Sequence, residues 1–107
     1  MERKVNTTQI TIGVVGLGLM GSSIVVSLLL AGHPVVALAP VKGEEKDAAL
    51  RIRALLEHCA RNGLTNKSVE NYLSSLTIST DYRDLEDCRL VLECVLEEID
   101  IKKAVYK

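Results

Sequence analysis

The chain has 107 residues, room for one small domain and a modest core. Hydrophobic residues make up 48% and charged residues 25%, a globular balance, and a net charge of −1 removes the electrostatic case for nucleic acid or an anionic membrane as partner. Phe and Trp are absent and Tyr occurs three times, so nucleobases would find little to stack on and the core must be aliphatic.

In chain order, Met1 to Gln9 is polar and reads as a loose leader to a domain over 10–107. Ile10 to Val15 is β-branched and apolar, as in a strand buried on both faces of a parallel sheet. Gly16 to Gly21 is a glycine-rich turn. Ser22 to Ala31 reads as an apolar helix, stopped by Gly32 and by Pro34 beyond. Pro34 to Ala39 is a second buried strand. This apolar stretch is too often broken by glycine and proline for a membrane helix, which needs about 20 uninterrupted apolar residues.

From Glu44 to Arg61, Ala48, Ile52, Leu55, Leu56 and Cys59 recur at helical spacing with charges between them. Asn62-Gly63 ends that helix, and Thr65 can cap a second with Val69, Tyr72, Leu73 and Leu76 on its apolar side. The two form a predicted helical hairpin. Leu76 to Ser79 is a short third strand, Asp81 to Asp87 a turn or one helical turn, and Arg89 to Leu96 a fourth strand interrupted by Glu93. Glu97 to Lys107 is predicted as a helix with Ile99, Ile101 and Val105 apolar. Right-handed crossovers then give an α/β fold, a Rossmann-type parallel sheet of order 3-2-1-4 with the hairpin between strands 2 and 3.

Cys59, Cys88 and Cys94 are odd in number and lack metal-type spacing, so they read as structural thiols suited to a reducing cytoplasm. No metal site is expected. His33 falls in the turn after the first helix and His58 on the polar side of the second, so neither is a catalytic candidate.

The chemistry lies in Gly16-Leu17-Gly18-Leu19-Met20-Gly21, a G-x-G-x-x-G run between a predicted strand and a predicted helix. Gly16 permits the tight turn, Gly18 lets a pyrophosphate approach the backbone, and Gly21 lets the helix pack on the sheet. Amides at the helix start and the helix dipole then hold the phosphates. An Asp or Glu is expected at the end of the second strand to bind the adenosine ribose hydroxyls, yet Ala39 stands there and no acid occurs before Glu44. Three readings stay open. The site binds NADP, with Lys42 meeting the 2′-phosphate; it binds NAD weakly; or it has lost the cofactor.

These residues carry a resemblance. Val14 to Ile24 with Gly32-His33-Pro34-Val35-Val36 is similar to the first βαβ unit of the 3-hydroxyacyl-CoA dehydrogenase family. The glycine run alone would also fit the 6-phosphogluconate and β-hydroxyacid dehydrogenases. The predicted hairpin over Glu44 to Leu76 favours the acyl-CoA family. So does Leu90-Val91-Leu92-Glu93-Cys94-Val95-Leu96-Glu97 with Lys102, which resembles its V-E-A-x-x-E-x-x-x-x-K segment.

The resemblance implies an NAD-binding domain of an oxidoreductase of fatty acid metabolism. Gly16, Leu17, Gly18, Leu19, Met20 and Gly21 would hold the pyrophosphate. Ala39 would stand at the adenosine ribose, and Glu97 and Lys102 beside the nicotinamide ribose. The family's catalytic His-Glu pair falls beyond residue 107, so no catalytic residue is expected here, and acyl-CoA would bind only in a longer parent chain. An uncovered fourth-strand edge would favour a homo-oligomer. Two other readings remain: a Rossmann-type interaction module without cofactor, and a β-hydroxyacid dehydrogenase-type NAD(P) domain.

Overall fold

Five strands, β1 (Ile12–Val15), β2 (Val35–Leu38), β3 (Leu76–Ser79), β4 (Leu90–Cys94) and β5 (Ile99–Lys103), form one sheet of order β3-β2-β1-β4-β5. The computed structural model describes residues 10–41, 43–94 and 99–103. The first four strands are parallel, in the order expected from right-handed crossovers. β1 is central, pairing Ile12 to Val15 with Val35 to Leu38 on one side and with Leu90 to Glu93 on the other. All four of its residues are buried, as its unbroken apolar run requires.

Helices α1 (Leu19–Leu30), α2 (Glu44–Arg61) and α3 (Val69–Leu73) lie in the connections β1 to β2 and β2 to β3. They share one core with Val14, Val35, Ala37 and Ala39 of the sheet. Pleating sends Val15 and Leu38 to the opposite face, where Leu85, Cys88 and Val91 close over them. Leu85 comes from a short 3-10 helix, Tyr82–Leu85, on the return from β3 to β4. Gly13 lies beneath these side chains: a Cβ there would stand 2.8 Å from Leu85 Cδ2 and 3.2 Å from Cys88 Sγ.

Local chemistry sets the helix ends. α1 stops at Ala31, where Gly32 adopts φ 97° and the amides of Gly32 and His33 return to the carbonyls of Leu29 and Leu28. α2 carries Glu44, Glu45 and Asp47 at its start and Arg61 at its end, charges that complement its dipole. It buries Ala48, Ile52 and Leu56 against α1. No described helix is long and apolar enough to cross a membrane.

Two expectations are corrected. The second arm of the helical hairpin is only the five residues of α3, capped by Ser68 and not by Thr65. Ser68 Oγ accepts the Asn71 amide at 3.1 Å, while the Asn66 amide donates to the Tyr72 hydroxyl, which holds the preceding residues out of the helix. The helix predicted from Glu97 is replaced over Ile99–Lys103 by β5, antiparallel to β4, with Cys94 opposite Ile99 and Leu90 opposite Lys103. Ile99 and Ile101 alternate with Asp100 and Lys102, a period of two, and β4 offers a row of edge amides and carbonyls that a helix would leave unpaired. That pairing also removes the uncovered β4 edge from which oligomerisation was expected.

Leu56 is fully buried in the core that α2 shares with α1 and the sheet, whereas Leu50 on the same helix is 70% exposed. Leu56→Ala is expected to cost about 2–5 kcal/mol in urea unfolding. Leu50→Ala should stay within about 0.5 kcal/mol of the parent.

Candidate functional site

The turn from β1 into α1 lies at the C-terminal edge of the sheet, where ligands of open α/β folds bind. Gly16 has φ 91°, a left-handed conformation open to glycine, and its amide donates to the Leu38 carbonyl at 2.9 Å. A Cβ on Gly16 would run into the backbone carbonyl oxygen of Cys94, and one on Gly21 into that of Gly16. Neither obstacle is a flexible side chain. The end of β4, the turn and the first turn of α1 are therefore packed backbone against backbone.

Gly18 differs from both. Its φ of −70° suits any residue, and nothing in the protein lies within 4 Å of where its Cβ would be. It is the N-cap of α1, with no side chain capping the helix and no acid in the first turn. The opening amides of α1 thus present partial positive charge without a counter-charge from their own helix. Leu19 and Met20 are 77% and 51% exposed beside them. A backbone that leaves room at Gly18 and offers helix-start amides fits a pyrophosphate.

Leu17 points the other way and is fully buried. Its carbonyl accepts from Ser22 Oγ at 3.2 Å and from Arg51 Nη1 at 2.8 Å, and its amide donates to Glu44 Oε1 at 3.4 Å. Two charged residues of α2 therefore hold the outer side of the glycine turn. Neither they nor Ser22 were among the predicted site residues. The signal for Arg51 was available: with Glu44 and Ala48 it falls at i, i+4, i+7, on the stripe of α2 that faces the core.

Ala39 is fully buried among the sheet and helix residues of the core, and its amide donates to the Ser79 carbonyl at 2.8 Å. It offers no polar group to a ribose. Glu97 and Lys42 lie outside the described residues. Lys102 is paired in register with Val91, three residues back along β4 from Cys94, which sets its backbone about 10 Å from the end of β4 that touches the turn. His58 is exposed on α2 and His33 is half-buried in the turn after α1, so neither joins the glycine turn. Cys88 and Cys94 are free thiols whose burial pushes their ionisation above the usual thiol range, which makes them poor nucleophiles near neutrality.

Residues 11–107 match the family model for the 3-hydroxyacyl-CoA dehydrogenase NAD binding domain. The chain belongs to this family. It is 33% identical over 97 residues to a peroxisomal fatty acid beta-oxidation multifunctional protein of Arabidopsis thaliana, covering 89% of this chain and 13% of that one. It is 32% identical over 97 residues to a 3-hydroxybutyryl-CoA dehydrogenase of Clostridioides difficile, covering 90% and 34%. Among solved structures, FadB2 of M. tuberculosis superposes with a TM-score of 0.74 at 36% identity, covering 81% of this chain and 31% of that one. The chain thus spans between about an eighth and a third of these relatives' length. The match separates it from the β-hydroxyacid dehydrogenases that the glycine run alone would also have fitted.

Because backbone blocks a side chain at Gly16 and Gly21, Gly16→Ala or Gly21→Ala should each lower unfolding stability by about 2 kcal/mol or more. Chemical denaturation of the two variants without any nucleotide checks this.

Proposed function

We propose that this chain holds a nicotinamide dinucleotide as the front part of a 3-hydroxyacyl-CoA dehydrogenase-type oxidoreductase. The observation that carries the reading is Gly18. Gly16 and Gly21 have internal reasons to be glycine, in conformation or in backbone contact, while Gly18 has neither. A group from outside the protein that needs the space accounts for it. The pyrophosphate would lie over Gly18 and receive the amides at the start of α1, with Leu19 and Met20 flanking it. Glu97, matched to the family's segment after the fourth strand, is assigned to the nicotinamide-side ribose.

When bound, the cofactor supplies hydride acceptance from the 3-hydroxyl carbon of an acyl thioester. The protein's part is to fix the dinucleotide so that its nicotinamide faces the substrate. The turn does this with backbone rather than side chains, so the holding groups carry little conformational freedom to lose. The hydroxyl proton needs a base within hydrogen-bond reach, and both histidines lie away from the turn. The 107 residues are therefore assigned binding without turnover.

Two measurements test this. Titration of NADH, followed by nicotinamide fluorescence, should saturate in the micromolar range. Gly18→Ala should weaken that binding at least tenfold, while urea unfolding stays within about 1 kcal/mol of the parent. Unaltered binding by Gly18→Ala would remove the central support for the reading. Assayed with 3-hydroxybutyryl-CoA and NAD, the 107-residue chain should show no NADH formation, and measurable turnover would refute the division between holding and chemistry.

A further inference from the structure

The missing acid at the end of β2 leaves the adenosine ribose without an evident partner. A dinucleotide lying over Gly18 with its pyrophosphate at α1 directs its adenosine half towards the ends of β1 and β2. Ala39, at that strand end, is buried and apolar. The chain then turns through Gly43, whose φ is 93°, and the Glu44 amide returns to the Val41 carbonyl at 3.1 Å. This short loop swings the first residue of α2 back over the glycine turn. There the half-buried Glu44 carboxylate reaches the Leu17 amide, one residue from Gly16, which is itself tied to Leu38 at the end of β2. A carboxylate thus stands at the junction of turn and strand although the strand does not supply it.

We infer that Glu44 supplies the carboxylate that accepts the adenosine ribose hydroxyls in place of the strand-end residue, and that it makes the site select NAD(H) over NADP(H). The inference rests on the dinucleotide reading above. Oε1 keeps its 3.4 Å contact with the Leu17 amide, and the second carboxylate oxygen is the acceptor for the ribose hydroxyls. Arg51, seven residues along the same helix, is engaged with the Leu17 carbonyl and Ser22 Oγ, which fixes α2 against the turn and with it the reach of Glu44. A 2′-phosphate placed here would meet the acidic first turn of α2, with Glu44, Glu45 and Asp47. Lys46 in the same turn and the helix dipole offset part of this charge, but the 2′-phosphate would lie against the Glu44 carboxylate itself. Repulsion wins, and the 2′-hydroxyl is the form accepted.

The test titrates the 107-residue chain and Glu44→Gln with NADH, NADPH and 2′-deoxy-NADH, with circular dichroism to verify the variant's fold. The parent should bind NADH at least tenfold more tightly than NADPH. Glu44→Gln should lose about tenfold or more of its NADH affinity and narrow the NADH-to-NADPH ratio. Removing the 2′-hydroxyl should weaken the parent by a similar factor and Glu44→Gln hardly further, since the two changes delete one contact. NADH affinity that survives Glu44→Gln, or a parent that binds NADPH as tightly as NADH, overturns the assignment of Glu44 and leaves dinucleotide binding standing. Silence of the parent towards every nucleotide overturns both. If Glu44→Gln does not fold, the unsubstituted chain still overturns the assignment by binding NADPH, or 2′-deoxy-NADH, as tightly as NADH.

Discussion

At the mouth of the sheet, three stretches of backbone approach more closely than any side chain would permit. The carbonyl of Cys94 faces Gly16, and the carbonyl of Gly16 faces Gly21, each where a Cβ would otherwise stand. This contact joins the end of β4, the tight turn and the base of α1 into one rigid piece. It aims the uncapped start of α1 out over the edge of the sheet, with Gly18 at the open position. A looser turn would place the same amides in the same order without the same direction, and their summed dipole would be lost to the site.

The second device is the brace from α2. Its burial of Ala48, Ile52 and Leu56 is ordinary packing, and it positions Glu44 and Arg51 on the same side of the helix. Arg51 and Glu44 then take opposite polarities of Leu17, a carbonyl and an amide. Placing one charge on each keeps the outer side of the turn electrically balanced while leaving the inner side positive. The exposed pairs Arg53–Glu70 and Arg83–Asp81 contribute little by comparison, because solvent screens them and long side chains must be ordered to form them.

Much of this architecture was legible residue by residue. The β-branched run before Gly16, the apolar helix after it, Gly32 with Pro34, and the Glu44 to Arg61 periodicity each named their element, because each is a local pattern with a local cause. The order of the parallel strands followed from the handedness of crossovers. Over Ile99–Lys103 the local pattern misleads. Ile99 and Ile101 serve a helix or a strand equally in so short a window, and the edge of β4, which decides between them, comes from residues outside that window. The second arm of the hairpin was overextended for a similar reason: Thr65 and Ser68 are both competent caps, and the hydrogen bond from Asn66 to Tyr72 selects between them.

The glycine motif announced a phosphate-holding turn, since spacing and residue type carry that meaning directly. It did not distinguish the three glycines by the reason for each. That distinction depends on which atoms of β4 and α1 arrive beside them, and such distances exist only after folding. The chain likewise displayed an absent acid at Ala39 and a first available one at Glu44. Whether a carboxylate five residues on can return to the turn depends on the bend at Gly43 and on the seating of α2, both products of long-range packing. Local patterns specify elements through near-neighbour sterics and burial, whereas the meeting of Glu44, Arg51 and Leu17 comes from contacts across 27 and 34 residues of chain.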